Sequence, residues 1–328
     1  MIPPPYAQDF LAASGWAGAR IEPLAGDASF RRYFRVVGEQ GTAAHPSAPP
    51  PHEDPRPFVR VAEWLSSVGL SAPEILARDL DRGLLLLGDF GDWRLREFLD
   101  SDPAREVELY ELSTDVLIHL HRHPPMPGLR IHGLVQWLEE LALFLDWYCP
   151  ALGLTVDEDA YRAAWREVLE PVAGDGLGPV TVLRDYHAEN VMLVRGREGV
   201  AHFGLLDFQD ALAGHPAYDL ASVLEDARRD VPPAIERAMI DRYVAATGHG
   251  ADFERAYWAL AAQRNTRIIG VFTRLWKRDN KPHYRRFQPR MWGLLERDLA
   301  QPGLEAVRAW FDANVPAEFR AAPWEEAA

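Results

Sequence analysis

Cysteine is almost absent from this chain. The single thiol, Cys149, excludes a disulfide framework and fits a reducing compartment. It sits in an apolar helical run and reads as core filler. Long apolar runs are absent too: none reaches the roughly 18 residues that a membrane helix needs. The stretch MIPPPYAQDF has neither a basic region nor an apolar one, so it reads as no signal peptide. Positive charge is in deficit, at a formal net charge of −14. Such a chain repels nucleic acid and anionic membranes, and neither is expected as a partner. An anionic small molecule would need a local cationic site. What remains is a soluble cytoplasmic protein. Its 328 residues, 48% of them hydrophobic, suffice for a large core and two lobes.

No internal repeat is visible. The first part reads as strands: a run to Leu24, a turn at Gly26-Asp27-Ala28-Ser29, then the aromatic and β-branched run Tyr33–Val37. Residues 38–57, six of them proline, read as a mobile loop. Helical spacing follows at Phe58, Val61, Leu65 and Val68. GLLLLGDFGDWRLREFL reads as a buried strand, a glycine-rich link and a helix start. Helices are expected over roughly 103–122, 131–149, 157–170, 232–246, 251–278 and 289–312. The exception is 180–210, which reads as strand, turn, strand, reversed at RGREG. A strand-rich lobe, 1–88, therefore precedes a mostly helical lobe, 89–328. Clefts between lobes are preferred ligand sites.

The chemistry concentrates in VLRDYHAENVML, residues 182–193. Asp185 and Asn190 lie five apart, and Asp207 ends an apolar strand seventeen residues further on. An acid, an amide and a second acid across a hairpin form the set a phosphotransferase needs. Asp185 would orient the attacking hydroxyl and accept its proton. Asn190 and Asp207 would supply oxygen ligands to Mg²⁺, which bridges nucleotide phosphates. Magnesium prefers hard oxygen donors, which explains Asp and Asn rather than His or Cys.

These residues resemble the aminoglycoside phosphotransferase/choline kinase family. Leu183-Arg184-Asp185 stands at its catalytic-loop triplet, Asn190 at its metal amide, and Asp207-Phe208 at its metal aspartate. GHPAYDLAS, 214–222, is similar to its Gly-x-x-x-x-Asp-Leu-Ala, whose aspartate, here Asp219, braces the loop. GDASFRRYFRV, RPFVRVAEWL and AAQRNTRIIGVFTRL bring the chain closer to the bacterial anomeric sugar kinases of cell-wall recycling. The matching segments span about residues 24–290. The resemblance implies an α+β, protein-kinase-like bilobal fold. It also implies ATP and Mg²⁺ as cofactors and an N-acetylated amino sugar as acceptor. Gly26, Asp27, Ala28, Ser29, Phe30 and Arg31 would lie over the phosphates, where backbone N–H groups meet anions. Leu87 and Asp89 would flank the adenine at the hinge. His187 and Glu189 would be loop or substrate contacts.

Two features depart from the pattern or refine it. Leu183 replaces the usual loop histidine. Kinases also hold the phosphates with a strand lysine, yet Lys277 and Lys281 are the only lysines, both far downstream. Glu63 stands where that lysine's helix partner would be, and Arg31, Arg32 or Arg60 could substitute electrostatically, though not equivalently. A pseudokinase therefore stays open as an alternative. Residues 264–290 carry nine Lys or Arg against one acid, Asp279. Arg264, Arg267 and Arg274 share a helical face. That face reads either as a solvated or salt-bridged surface or as a pocket in which Arg264 and Arg267 would bind a substrate carboxylate, which would favour N-acetylmuramate over a polycationic aminoglycoside. An aminoglycoside or other small-alcohol kinase of the same fold stays open as an alternative.

Overall fold

Chain order runs α1 (Ala7–Ala13), β1 (Arg20–Pro23), β2 (Arg32–Gly38), β3 (Gly41–Ser47), α2 (Arg56–Ser67), β4 (Ile75–Asp79), β5 (Leu84–Gly88), α3 (Leu95–Ser101) and α4 (Glu106–His121). It continues through β6 (Ile131–His132), α5 (Leu134–Leu143), a π-turn at Phe144–Tyr148, α6 (Cys149–Ala151), α7 (Glu158–Ala173), β7 (Val180–Val182), β8 (Val191–Leu193), β9 (Phe203–Leu205) and β10 (Leu212–Gly214). The last elements are α8 (Ala217–Leu224), α9 (Pro233–Thr247), α10 (Ala251–Lys277), α11 (Gln288–Leu299), α12 (Glu305–Asn314) and α13 (Ala317–Ala321). This computed structural model describes residue 3 and residues 6–24, 32–39, 41–47 and 54–321. Two compact units form. The first holds residues 1–106 and 189–211; the second holds 107–188 and 212–328.

In the first unit five strands make one antiparallel sheet in the order β1-β2-β3-β5-β4. Its apolar layer joins Phe10, Leu11 and Trp16 to Val36, Ala43, Leu84 and Leu86. The expected loop over 38–57 is corrected here. Residues 41–47 form β3, which pairs with β2 on one side and β5 on the other. Proline content misleads because the ladder is made by backbone groups. Ala43 and His45 point inward and are fully buried. His45 Nδ1 lies 2.5 Å from the Leu85 carbonyl. A carbonyl only accepts, so that nitrogen carries the hydrogen. Burial lowers the His45 pKa, and the imidazole stays neutral.

The expected α2 forms, with Phe58, Val61 and Leu65 buried. The β8–β9 hairpin belongs to the first unit as well. Leu205 N–H donates to the Ser71 carbonyl at 2.8 Å, and Leu193 N–H to that of Trp93 at 2.8 Å. Gly204 is required here: a Cβ would lie 2.5 Å from the Phe90 ring.

The second unit has a small sheet, β6-β10-β7, and a helical body around α10, 27 residues long. At Gly270 the helix backbone presses against α5 and the π-turn, and a Cβ would come within 2.4 Å of Leu143. The helix expected over 289–312 is two helices, α11 and α12, divided after Leu299. Pro302 interrupts the amide series, and Gly303 takes a φ of +91°. Helix α8 was not expected. All eight of its residues are buried, so it carries no amphipathic period.

A buried cluster of acids ties α8, α9, α10 and α11 together. Arg297 bonds Glu225 at 3.2 Å and Glu236 at 2.9 Å. Asn265 donates to Glu225 and to Asp298, and the Tyr257 hydroxyl donates to Glu236 at 2.8 Å. Three carboxyls lie together, and one guanidinium bonds two of them. Burial, then the neighbouring Glu225, pushes Glu236 up to about 8. Asp298 is raised for the same reasons. A carboxyl whose folded pKa exceeds its unfolded one favours the native state when protonated. That contribution is complete below the unfolded value, about 4.3, and is lost as pH rises through about 8. Glu236→Gln should therefore shrink the fall in melting temperature between pH 5.5 and pH 8.5. Thermal melts of both proteins at both pH values check this; an unchanged fall would refute it.

Candidate active site

Strand β7 delivers the chain into a loop at Leu183–Ala188, and no glycine or proline bends it. Arg184 makes the turn with a φ of +74°. A left-handed non-glycine residue costs about 1–2 kcal/mol. The opposing bonds are stronger. Asp219, fully buried in the first turn of α8, accepts Leu183 N–H at 2.5 Å and Arg184 N–H at 2.9 Å. A hydrogen bond to a charged group is worth about 1.5–3 kcal/mol, so two of them outweigh the strain. Burial pushes Asp219 up to about 7, while both amides and Arg264 favour its charged form.

The rest of the loop is pinned side chain by side chain. The Tyr186 hydroxyl donates to the Ser113 carbonyl of α4 at 3.0 Å. Ala188 N–H donates to Asp226 at 3.1 Å. His187 is 8% exposed. Burial, Arg228 and Arg264 lower its pKa to about 3 against the pull of Asp185. It is a neutral, inward-facing imidazole. Asp185 is half-buried, with Leu183, Tyr186, His187 and Ala188 all buried around it.

Behind Asp185 lies an ion-pair hub that the sequence did not disclose. Glu140 of α5 accepts from Arg184 at 3.0 Å, pairs with Arg267 at 3.5 Å, and meets His132 Nε2 at 3.3 Å. Burial opposes its charge, but His132, Arg267 and Arg184 hold the carboxyl down to about 2. Arg267 feels Asp185 as well as Glu140. Its two terminal nitrogens make no hydrogen bond to a described residue. Arg264 differs. It is 4% exposed and donates to the Glu225 carbonyl at 3.2 Å.

The first unit carries the other expected residues. The β8–β9 hairpin sets Asn190 just before β8 and Asp207 just after β9. Asn190 Nδ2 donates to Asp207 Oδ2 at 3.5 Å. Gln209 donates to Asp207 at 2.8 Å. Asp207 is exposed and takes a φ of +58°, which a short polar side chain tolerates. Phe208 is buried and stacks on Phe58 of α2, ring centroids 4.9 Å apart. Glu189 is ion-paired with Arg96 of α3. An amide and a carboxylate side by side are hard oxygen donors that suit Mg²⁺. No group of three or more His, Cys, Asp or Glu able to hold a metal occurs among the described residues. A cation bound here would be held by Asn190 and Asp207 and would supply positive charge beside them.

Leu87 ends the buried run of β5, and Asp89 follows it. Arg35 of β2 grips this link. Its guanidinium bonds Asp89 at 2.7 Å, Asp92 at 2.6 Å and the Gly91 carbonyl at 3.2 Å. Sequence reasoning missed Arg35, since its partners lie more than fifty residues away. Gly26, Asp27, Ala28, Ser29, Phe30 and Arg31 lie outside the described residues. Glu63 is exposed and bonds Arg78 at 2.9 Å.

Comparison with known proteins fits this arrangement. A relative in Caulobacter vibrioides, an N-acetylmuramate/N-acetylglucosamine kinase, is 38% identical over 95% of this chain and 96% of its own. A protein of the same name in Pseudomonas aeruginosa is 36% identical over 89% of this chain and 88% of its own. A choline/ethanolamine kinase family protein from Mesorhizobium loti has a solved structure that matches with a TM-score of 0.63. At 17% identity, over 92% of this chain and 98% of that one, it shows the shared fold. That fold is the expected α+β, protein-kinase-like one. The model of the phosphotransferase enzyme family matches residues 20–260. With Asp185 on its braced loop and Asn190 and Asp207 on their hairpin, the chain belongs to that phosphotransferase family.

Proposed function

We propose that this enzyme uses ATP and Mg²⁺ to phosphorylate the anomeric hydroxyl of N-acetylmuramate and N-acetylglucosamine, in the cytoplasm, as a step of peptidoglycan recycling. The observation that carries the sugar reading is the 38% identity to a kinase of that name over 95% of the chain. Arg267 supports it independently. A desolvated guanidinium with unspent donors beside Asp185 suits a lactyl carboxylate and repels a polycationic aminoglycoside.

In this reading Asp185 orients the acceptor hydroxyl and takes its proton. The braced loop fixes that carboxylate before substrate arrives, so little is lost to reorganisation. Asn190 and Asp207 hold Mg²⁺, which supplies charge neutralisation on the nucleotide phosphates. Backbone groups at Leu87–Asp89 meet the adenine, and Arg35 keeps that link in shape. Of the two arginines expected at the substrate, we assign the contact to Arg267. The Arg264 guanidinium is buried and used by the Glu225 carbonyl, so it supports the loop from behind. His187 and Glu189 likewise serve the loop and the hairpin, through burial and through Arg96. Cys149 is buried and pushed up to about 12 by that burial, so its thiol stays unreactive.

The missing strand lysine favours a second reading, a nucleotide-binding pseudokinase. A panel of sugars and aminoglycosides with ATP, the product's phosphorylated position read by phosphorus NMR, separates the two. Product at the anomeric oxygen supports the kinase reading; no turnover of any acceptor would leave the pseudokinase.

Three substitutions test the roles. Asp185→Asn should keep the fold and lower turnover by at least about 10²-fold, the scale of general-base removal; steady-state kinetics at near-wild-type rate would sink the assignment. Asp207→Ala should weaken MgATP binding together with turnover, because a carboxylate carries much of the metal's affinity. Calorimetry that finds unchanged affinity and metal dependence would exclude Asp207 as a ligand. Arg267→Ala should raise the Michaelis constant for N-acetylmuramate by about ten- to a hundredfold, as expected for losing about 1.5–3 kcal/mol. The constant for N-acetylglucosamine, which lacks the lactyl group, should change much less. Equal losses on both sugars would assign Arg267 a structural role.

A further inference from the structure

The loop around Asp185 is fastened at both ends, and only its start has an assigned brace. Asp219 takes the amides of Leu183 and Arg184. At the other end the amide of Ala188 is buried and points to a second buried aspartate. Asp226 Oδ2 accepts Ala188 N–H at 3.1 Å, and Asp226 Oδ1 accepts Arg228 N–H at 2.8 Å. Ala188 is 0% exposed and Asp226 is 1% exposed.

The two acids belong to one ruler. Asp219 lies in the first turn of α8, and Asp226 lies two residues past its end. Asp226 follows Asp219 by seven positions; the first five of these steps lie in α8, about 7.5 Å of rise, and the last two leave its end at Glu225. One buried helix with its C-terminal turn thus carries both of the loop's fastening points. Asp185 sits between them: its neighbour Arg184 is bonded on one side and Ala188 on the other. Ala188 is also the last residue before the chain passes to the first unit at Glu189.

We infer that Asp226 is a second positioning residue for the phosphoryl transfer, fixing the end of the loop as Asp219 fixes its start. It touches no reacting atom and acts through the backbone of Ala188. The inference rests on the reading of Asp185 as the carboxylate that orients the acceptor. A displacement of about 1 Å at such a group costs on the order of 10²-fold in rate, so a loosened end should appear in kcat. Binding groups such as Arg267 sit on another element and should be spared.

The test uses the full-length enzyme with the Asp226→Asn variant. An asparagine offers one acceptor oxygen where the aspartate offers two, so one of the two amides loses its partner. Turnover should fall by roughly 10- to 100-fold on both sugars. The Michaelis constants for ATP and both sugars should stay within about threefold. Hydrogen exchange of the Ala188 amide should accelerate by at least about tenfold, while the Leu183 and Arg184 amides keep their protection. In an Asp185→Asn background the second substitution should cost no more than about twofold further, because what the brace positions is already gone. Unchanged kcat, a rise confined to the Michaelis constants, or the same fold-loss in both backgrounds would overturn the proposal. If Asp185→Asn itself retains wild-type turnover, it is the reading of Asp185 that fails. The Ala188 exchange still reports on the brace by itself, and unchanged protection would refute it. Should the asparagine variant not fold, Asp226→Glu keeps the charge and both oxygens, displaced by one methylene. The same kcat loss at constant Michaelis constants is then expected, and wild-type kcat would overturn the inference.

Discussion

Two backbone amides pointing at one buried carboxylate govern the loop that carries Asp185. Asp219 holds Leu183 and Arg184 in a conformation that Arg184 would otherwise avoid. Once that turn is set, the other positions follow. Tyr186 reaches α4, His187 turns inward and loses its proton, and Asp185 is left half-buried at the surface of the loop. A glycine at 184 would make the turn at no steric cost. It would also give up the side chain that bonds Glu140. The strained arginine therefore serves two neighbours at once, the loop through its amide and α5 through its guanidinium.

Charge is arranged around that loop in alternation. Glu140 carries one negative charge against Arg184 and Arg267, and Asp185 carries the next. An anionic group arriving at Arg267 meets a cation that is desolvated and only loosely paired, at 3.5 Å. A polycation arriving there meets the same charge as repulsion. Away from the loop the second unit buries acids in excess of bases, and burial raises Glu236 and Asp298 toward their neutral forms. The chain's acidity is thus partly stored inside as neutral carboxyls, where it exerts little field on a substrate.

Much of this was legible from the residues. The spacing of Asp185, Asn190 and Asp207 and the two short strands around RGREG were enough to place Asn190 and Asp207 on one hairpin. Amphipathic helices such as α2 and α10 announced themselves by period. What stayed hidden lacks a local signal. Strand β3 forms from small residues and a proline because its partners β2 and β5 supply the ladder. Helix α8 is buried all round and shows no period. Glu140 bonds Arg184, Asp226 bonds Ala188 and Arg35 bonds Asp89, at separations of 44, 38 and 54 positions, and no short window of sequence contains both partners. Arg264 and Arg267 illustrate the same limit. Helical phase puts them on one face, but only the packing of α8 decides that one is buried against the Glu225 carbonyl and the other keeps its donors.

The absence of lysine from the first unit changes how that unit is held. In a kinase with that lysine, an ion pair ties the helix after β3 to the sheet. Here Glu63 of α2 turns outward to Arg78 and remains 58% exposed. An exposed pair of that kind contributes about 1 kcal/mol at most. The stack of Phe58 on Phe208 is a buried contact between aromatic rings, worth about 0.5–1.5 kcal/mol beyond the area it buries. Phe208 directly follows Asp207. The helix is therefore tied to the segment that carries Asp207 by apolar packing, which salt does not screen. Because that contact is made by two side chains of the first unit alone, Phe208 and with it Asp207 keep their place without an ion pair between α2 and the sheet.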